Sequence, residues 1–403
     1  MAKTYDTYKD SGIAWIGEIP SEWEVKKARY LFKQRNSKGN DVAVLLSATQ
    51  SNGMYPQHLL EGVVQVQKDT DLQTFKTVHK NDYVISLRSF QGGFEMSDYE
   101  GVCSPAYQVF YNTDDICHHY YKLLFKSQGF ISMINSLVVG IREGKNIQYG
   151  AFSYSDLPVP PLDEQTKIAL QLEKKCGEID ALISLQEEMI SELQAYKQSV
   201  ITEAVTKGLN PHAKMKDSGV EWIGEIPEGW KVCRLKNCIT INSGEALSNE
   251  KIKEFGEYPV FGGGEMIGYF DNYNTESNEL IIGRVGARCG CVTMPNCSCW
   301  ATDNALKIVS DMPLRFIYYL LVSAELNTLN TSNAQPLITA TKIKNKVMPM
   351  PSSIADQHSI ATYLDEKTSQ IDSLITLKQE KIQELKDYKK SIIYEYVTGK
   401  KRV

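Results

Sequence analysis

The chain has 403 residues, 42% hydrophobic and 23% charged, too long for one ordinary domain and unlike a disordered or collagen-like chain. Its apolar runs are too short to cross a bilayer, and the N-terminal stretch from Met1 lacks the apolar core of a signal peptide; nine cysteines without such a signal predict reduced thiols in the cytoplasm. Lys and Arg number 44 against 49 Asp and Glu, and this net charge of −5 does not by itself advertise a nucleic-acid binder.

The first element is an arm, Lys9-Asp10-Ser11-Gly12-Ile13-Ala14-Trp15-Ile16-Gly17-Glu18-Ile19-Pro20, followed by Trp23. It returns 207 positions later as Lys216-Asp217-Ser218-Gly219-Val220-Glu221-Trp222-Ile223-Gly224-Glu225-Ile226-Pro227, followed by Trp230. Ten of twelve positions are identical, so the chain is an internal tandem repeat.

After the first arm comes an insert rich in β-branched and aromatic residues. Asp82-Tyr83-Val84-Ile85-Ser86-Leu87-Arg88 reads as a strand running into the turn Gln91-Gly92-Gly93, and a helix is predicted from Cys117 to Ser132. Pro160-Pro161 then opens a long helix, Leu162 to Lys207. Ile179, Ile183, Gln186, Ile190, Leu193, Lys197, Val200 and Ala204 step by four and three alternately, the period of a coiled-coil seam.

Beyond the second arm, a second insert carries the strand pattern Glu279-Leu280-Ile281-Ile282-Gly283-Arg284-Val285, the turn Phe261-Gly262-Gly263-Gly264 and a predicted helix from Pro313 to Leu326. A second long helix follows Pro351, with Ser353 and Asp356 as a capping box and Ile371, Ile375, Lys378, Ile382, Leu385, Lys389, Ile392 and Tyr396 as its seam. The two helices match at an offset of 192, pairing Glu164-Gln165 with Asp356-Gln357, Ile179-Asp180 with Ile371-Asp372, and Tyr196-Lys197 with Tyr388-Lys389. Adjacent apolar residues such as Leu182, Tyr196, Leu374 and Tyr388 widen the stripe, so the helices are expected to touch more than one neighbour.

The expected fold class is α+β: two α+β recognition domains separated by two long helices packed as an antiparallel coiled coil, a pseudo-twofold tandem repeat. The predicted divisions are 1–160 (arm and first domain), 161–207 (first long helix), 208–350 (second arm and domain) and 351–403 (second long helix and tail). The acidic excess lies in the arms and the first helix, which leaves near-neutral inserts whose local basic residues can meet phosphates.

No motif for catalysis is present. The Gly-rich turns lack the Gly-Lys-Ser/Thr of a phosphate loop, and the lone Pro-Pro, in Val159-Pro160-Pro161-Leu162, does not fit the base pocket of a DNA adenine methyltransferase. Cys289, Cys291, Cys297 and Cys299 form two C-x-C pairs, too tightly spaced for a zinc site and better read as thiols sharing one face of a strand. His118-His119 has no cluster of partners and reads as structural. The residue types that read base edges stand at turns instead: Arg88, Ser89, Gln91, Arg142, Lys145 and Asn146 in the first insert, and Arg284, Arg288, Asn304 and Gln335 in the second.

With these features together, the chain resembles the specificity subunits of type I restriction-modification systems over essentially its whole length. The resemblance rests on the repeated arm, on Leu157-Pro158-Val159-Pro160-Pro161-Leu162-Asp163-Glu164-Gln165 leading into a helix, and on Tyr258-Pro259-Val260-Phe261-Gly262-Gly263-Gly264 and Trp300-Ala301-Thr302-Asp303-Asn304-Ala305. Two departures stand out: Asp356 where the family usually shows Glu, and a first insert without the Gly-Gly-Gly segment. The resemblance implies that each insert is a target recognition domain docking in the major groove of double-stranded DNA over one half of a split site. It also implies that the helix pair sets the spacer and docks two methyltransferase subunits, here through Ile183, Ile190, Leu193, Ile375, Ile382 and Leu385, with restriction-translocase subunits joining that core. S-adenosylmethionine, ATP and magnesium then belong to those partners; this chain binds no cofactor or metal, touches no membrane and catalyses nothing. The rival readings are a duplicated coiled-coil adaptor without DNA recognition and a self-contained DNA methyltransferase or nuclease.

Overall fold

The computed structural model describes residues 4–39, 44–50, 52–60, 72–137, 147–330 and 336–403. The chain forms two compact units, one from residues 1–186 and 380–403 and the other from residues 187–379. Each long helix, Leu162–Lys207 and Ile354–Val397, therefore gives one half to each unit. The second helix contains no Gly or Pro, and the first only Gly177. Their ends are marked by Gly208 and Gly399, both at positive φ, the left-handed conformation that closes a helix and that glycine adopts without strain.

Within each unit the halves run antiparallel. In the first, Lys389 Nζ bonds Asp180 at 2.6 Å and Lys175 Nζ bonds the Tyr396 hydroxyl at 2.9 Å, so residue numbers rise on one helix as they fall on the other. In the second, Lys197 Nζ bonds Asp372 at 2.6 Å. These are the repeated Ile-Asp and Tyr-Lys dipeptides, and each Asp meets the Lys of the other copy. The seam beneath them is apolar, with Ile179, Ile392 and Tyr396 buried in the first unit and Val200, Ala204 and Ile371 in the second.

The arms are two-stranded ribbons, Tyr8–Ile13 with Gly17–Pro20 and Met215–Asp217 with Glu225–Pro227. Their identical residues build identical turns. Asp10 and Asp217 accept the N–H of Gly12 and Gly219, while Ser11 and Ser218 accept that of Ile13 and Val220.

The two inserts share a topology that their sequences conceal. The first holds an antiparallel sheet in the order Phe32–Arg35, Gln108–Asn112, Tyr83–Ile85, Glu95–Met96. The second repeats that order as Thr240–Ser243, Ala305–Val309, Leu280–Gly283, Val292–Thr293. In each, a hairpin precedes the third strand of that order: Leu46–Thr49 with Gly53–Pro56, and Tyr258–Gly262 with Glu265–Phe270.

The cores differ in chemistry. The first is aromatic, with Phe32, Tyr83, Phe94, Phe110, Phe125 and Phe152 in edge-to-face or tilted contacts. The second is mainly aliphatic, built on Leu280, Ile282, Leu306, Ile308, Ile317 and Leu320.

The helix predicted from Cys117 to Ser132 is two helices, His118–Lys126 and Gln128–Ser136, broken where Ser127 is extended. The break lets Gly129 come up against the Trp15 ring, where a Cβ would lie 2.4 Å from the indole. In the second insert the helix is Leu314–Ser323.

Candidate nucleic-acid interface

In both units the strand Tyr83–Ile85 or its counterpart Leu280–Gly283 runs into a turn that carries the arginines singled out in the sequence. In the first unit this is a short helical turn, Ser89–Gly92. Arg88 and Gln91 are exposed on it, and neither side chain has a hydrogen bond or ion pair among the described residues. Arg88 faces the half-buried Tyr107; burial pushes that phenol up while the guanidinium draws it down.

Ser89 is different from its neighbours. It is buried, and its hydroxyl accepts the Ser86 N–H at 2.8 Å, so it braces the turn from inside instead of facing outward. Gln50, at the tip of the Leu46–Thr49 hairpin, lies beside this turn: a Cβ on Gly92 would sit 3.4 Å from its side chain. Gln50 and Asn52 are both exposed, and sequence reasoning missed them because no local signal ties a hairpin tip to a turn some forty residues away. By contrast Arg35 is engaged inside the fold, held at 2.7 and 3.0 Å by the buried Asp82 and lying over the Tyr111 ring.

The second unit brings its sequence candidates together. The Asn304 carbonyl accepts the N–H of both Gly263 and Arg284, at 3.3 and 3.1 Å. Three turns therefore converge: the hairpin tip Gly262–Glu265, the turn from Arg284 to Cys291, and the connection before Ala305–Val309. Gly283 permits the approach, since a Cβ there would fall 2.5 Å from the backbone of Gly263 and Gly264. Arg288 and Asn304 are exposed and Arg284 half-buried. Arg288 makes an ion pair with Glu265 across the tip, Nε to Oε2 at 3.3 Å. Arg142, Lys145, Asn146 and Gln335 lie outside the described residues.

A family model for the type I restriction-modification DNA specificity domain matches residues 16–195 and again 227–387. The chain belongs to the type I restriction-modification DNA specificity family. It is 26% identical to the type I restriction enzyme MjaVIII specificity subunit of Methanocaldococcus jannaschii, over 96% of this chain and 94% of that protein. It is 25% identical to the putative MjaX specificity subunit of the same organism, over 96% of each. A chain in a solved structure described as the basis of complex assembly and conformational transition of the type I R-M system shares the fold, with a TM-score of 0.68 at 16% identity, over 94% of this chain and 98% of that one.

The residues expected to dock partners are largely seam residues. Ile382 is buried, Ile183 and Leu385 pack against the first core, and Ile190, Leu193 and Ile375 are half-buried. They are covered because alternating steps of three and four turn them toward the other helix. The apolar residues left outside include Leu182, Leu185 and Tyr196 on the first helix and Leu374, Leu377 and Tyr388 on the second, between 47% and 60% exposed. The two sets correspond at the repeat offset of 192. Within each, the two leucines lie in one unit, and their spacing of three residues places them on one face.

The repeated Glu-Gln and Asp-Gln at the helix starts also acquire a role. Gln165 is buried and links the Pro160 carbonyl to the Cys117 N–H, tying the helix to its recognition domain. Glu164 accepts from Trp23 Nε1 at 3.0 Å and from the Tyr5 hydroxyl. In the second unit the shorter Asp356 and His212 stand in the places of Glu164 and Tyr5, and a cavity of about 490 Å³ lies beside Trp230.

The C-x-C pairs are each split, Cys289 and Cys299 buried and Cys291 and Cys297 exposed. They do not share a strand face, because Cys289 and Cys291 sit in a turn, where side-chain directions do not alternate. The Cys289 thiol donates to the Arg284 carbonyl at 3.1 Å, and burial pushes the Cys299 thiol up to about 12. Among the described residues no group of three or more His, Cys, Asp or Glu is placed to hold a metal ion, and no helix is long and apolar enough to cross a membrane.

Proposed function

We propose that the first unit reads one half of a split DNA site through the turn bearing Arg88 and Gln91, joined by Gln50 and Asn52 of the neighbouring hairpin. The second unit reads the other half through the convergent turns of Arg284, Arg288 and Asn304. The observation that carries this reading is the shared topology: one sheet order, with an exposed arginine in the turn after the same strand, on two inserts without matching sequence. Arginine suits guanine and Gln or Asn suits adenine in the major groove, so different residues on one scaffold give different half-sites.

The exposed pairs Leu182 and Leu185 in the first unit and Leu374 and Leu377 in the second are the surfaces offered to methyltransferase subunits, one for each of two copies, with restriction-translocase subunits joining that assembly. The long helices set the spacer between the half-sites. In this reading the chain acts in the cytoplasm, recognises without catalysing, and leaves S-adenosylmethionine, ATP and magnesium to its partners. Mapping methylated adenines in cells with and without the gene tests it. A split motif that vanishes with the gene is expected, together with no methyl transfer by the purified chain alone. A map unchanged by deletion, or methylation by the lone chain, refutes it.

A further inference from the structure

Arg288 has its backbone pinned in the turn of the second unit while its guanidinium lies outside. Its carbonyl accepts the Cys291 N–H at 3.0 Å. Gly264, at φ +100, brings the hairpin tip so close that a Cβ there would meet this same carbonyl at 2.8 Å. The guanidinium remains 62% exposed and meets Glu265, itself 56% exposed, through Nε.

That choice of edge matters. A carboxylate on Nε leaves the terminal Nη pair to donate two parallel bonds, the fork that matches O6 and N7 of guanine. Arg315 in the same unit likewise gives Nε to a carboxylate, that of Asp365, but its Nη1 also points at Met294 Sδ, 3.9 Å away. Glu265 also disfavours the other common use of an exposed arginine. Seating Arg288 on a phosphate would bring a carboxylate against the DNA backbone, and the neutral pair adds little to non-specific, salt-dependent binding.

We infer that Arg288 reads a guanine in the half-site of the second unit and that Glu265 is its positioning residue, holding Nε so that the Nη edge faces the base. This deepens the DNA-reading proposal and rests on it.

The test is selection from a randomised duplex pool by the full chain assembled with its methyltransferase partners, comparing wild type, Arg288→Ala, Arg288→Lys and Glu265→Gln. The wild type should enrich a two-part consensus with guanine at one position that Arg288→Ala alone flattens, by about 5- to 150-fold. Arg288→Lys should recover only part of the preference, having no fork. Glu265→Gln should weaken the guanine preference at that position while raising affinity for all sequences. Unchanged thermal unfolding of the exposed-site variants separates these effects from misfolding.

A consensus that Arg288→Ala leaves intact, or a loss spread evenly over all sequences, overturns the inference while the two-part consensus still supports the broader proposal. A wild-type pool with no two-part consensus overturns both.

Discussion

Replacing Glu164 by Ala tests how the first arm is locked to its helix. The carboxylate takes hydrogen bonds from Trp23 Nε1 and the Tyr5 hydroxyl, and Trp23 is fully buried. A hydrogen bond to a charged acceptor is worth ~1.5–3 kcal/mol, and leaving a buried indole N–H unpaired costs ~1–3 kcal/mol. These overlap, so the expected loss is about 3–5 kcal/mol, less than their sum. At about 2–4 °C per kcal/mol for a domain of 150–250 residues, the melting transition of the first unit should fall by about 6–20 °C.

Glu164→Asp should show an intermediate loss, since the shorter side chain cannot span both donors. The second unit supplies the control. No side-chain bond from Trp230 to Asp356 exists among the described residues, so Asp356→Ala should cost only the helix-terminus contribution of about 0.3–1 kcal/mol. Calorimetry combined with hydrogen exchange over residues 5–23 and 118–126 reads both. Unchanged exchange in Glu164→Ala, with a melting shift under about 1 °C, would refute the lock.

Three further outcomes are expected. Leu182→Asp with Leu374→Asp should abolish assembly with methyltransferase subunits while circular dichroism and melting stay unchanged, whereas Ile382→Asp, which buries a charge in the seam, should unfold the helix pair at a cost of several kcal/mol; intact assembly of the double variant, by size-exclusion chromatography, would move docking elsewhere. Four residues inserted into each long helix, after Gln186 and after Gln379, add ~6 Å and nearly preserve the apolar stripe, so methylation maps should show a spacer longer by about one to two base pairs with unchanged half-sites. Cys233 lies with its sulfur 3.1 Å from that of Cys238, and this hydrogen bond holds the first proton of the pair below the ordinary thiol range. Iodoacetamide labelling of the pair should therefore set in at a lower pH than for an ordinary thiol, moving back toward the ordinary range in Cys238→Ala.

The tandem plan and the two long helices were legible in the sequence because each is decided locally. A run of identical residues at a fixed offset and a 3.5-residue apolar period opened by Pro are written within a few neighbouring residues. The family resemblance was legible for the same reason, since its motifs are short contiguous runs, in the repeated segments and in two stretches of the second insert. What only the tertiary structure decided depends on residues far apart in the chain.

The common sheet order of the inserts was hidden because short strands are specified by long-range pairing, and an aromatic core and an aliphatic one satisfy it equally well. Which of two adjacent apolar stripes becomes seam, burying Ile382 and leaving Leu374 outside, was settled by the partner helix and not by hydrophobicity. The approach of Gln50 to the turn at Gly92, and the meeting of Arg288 with Glu265, follow from how turns converge at the end of a sheet. Those contacts join residues separated by whole strands, where a sequence names the chemistry available and only the fold brings it together.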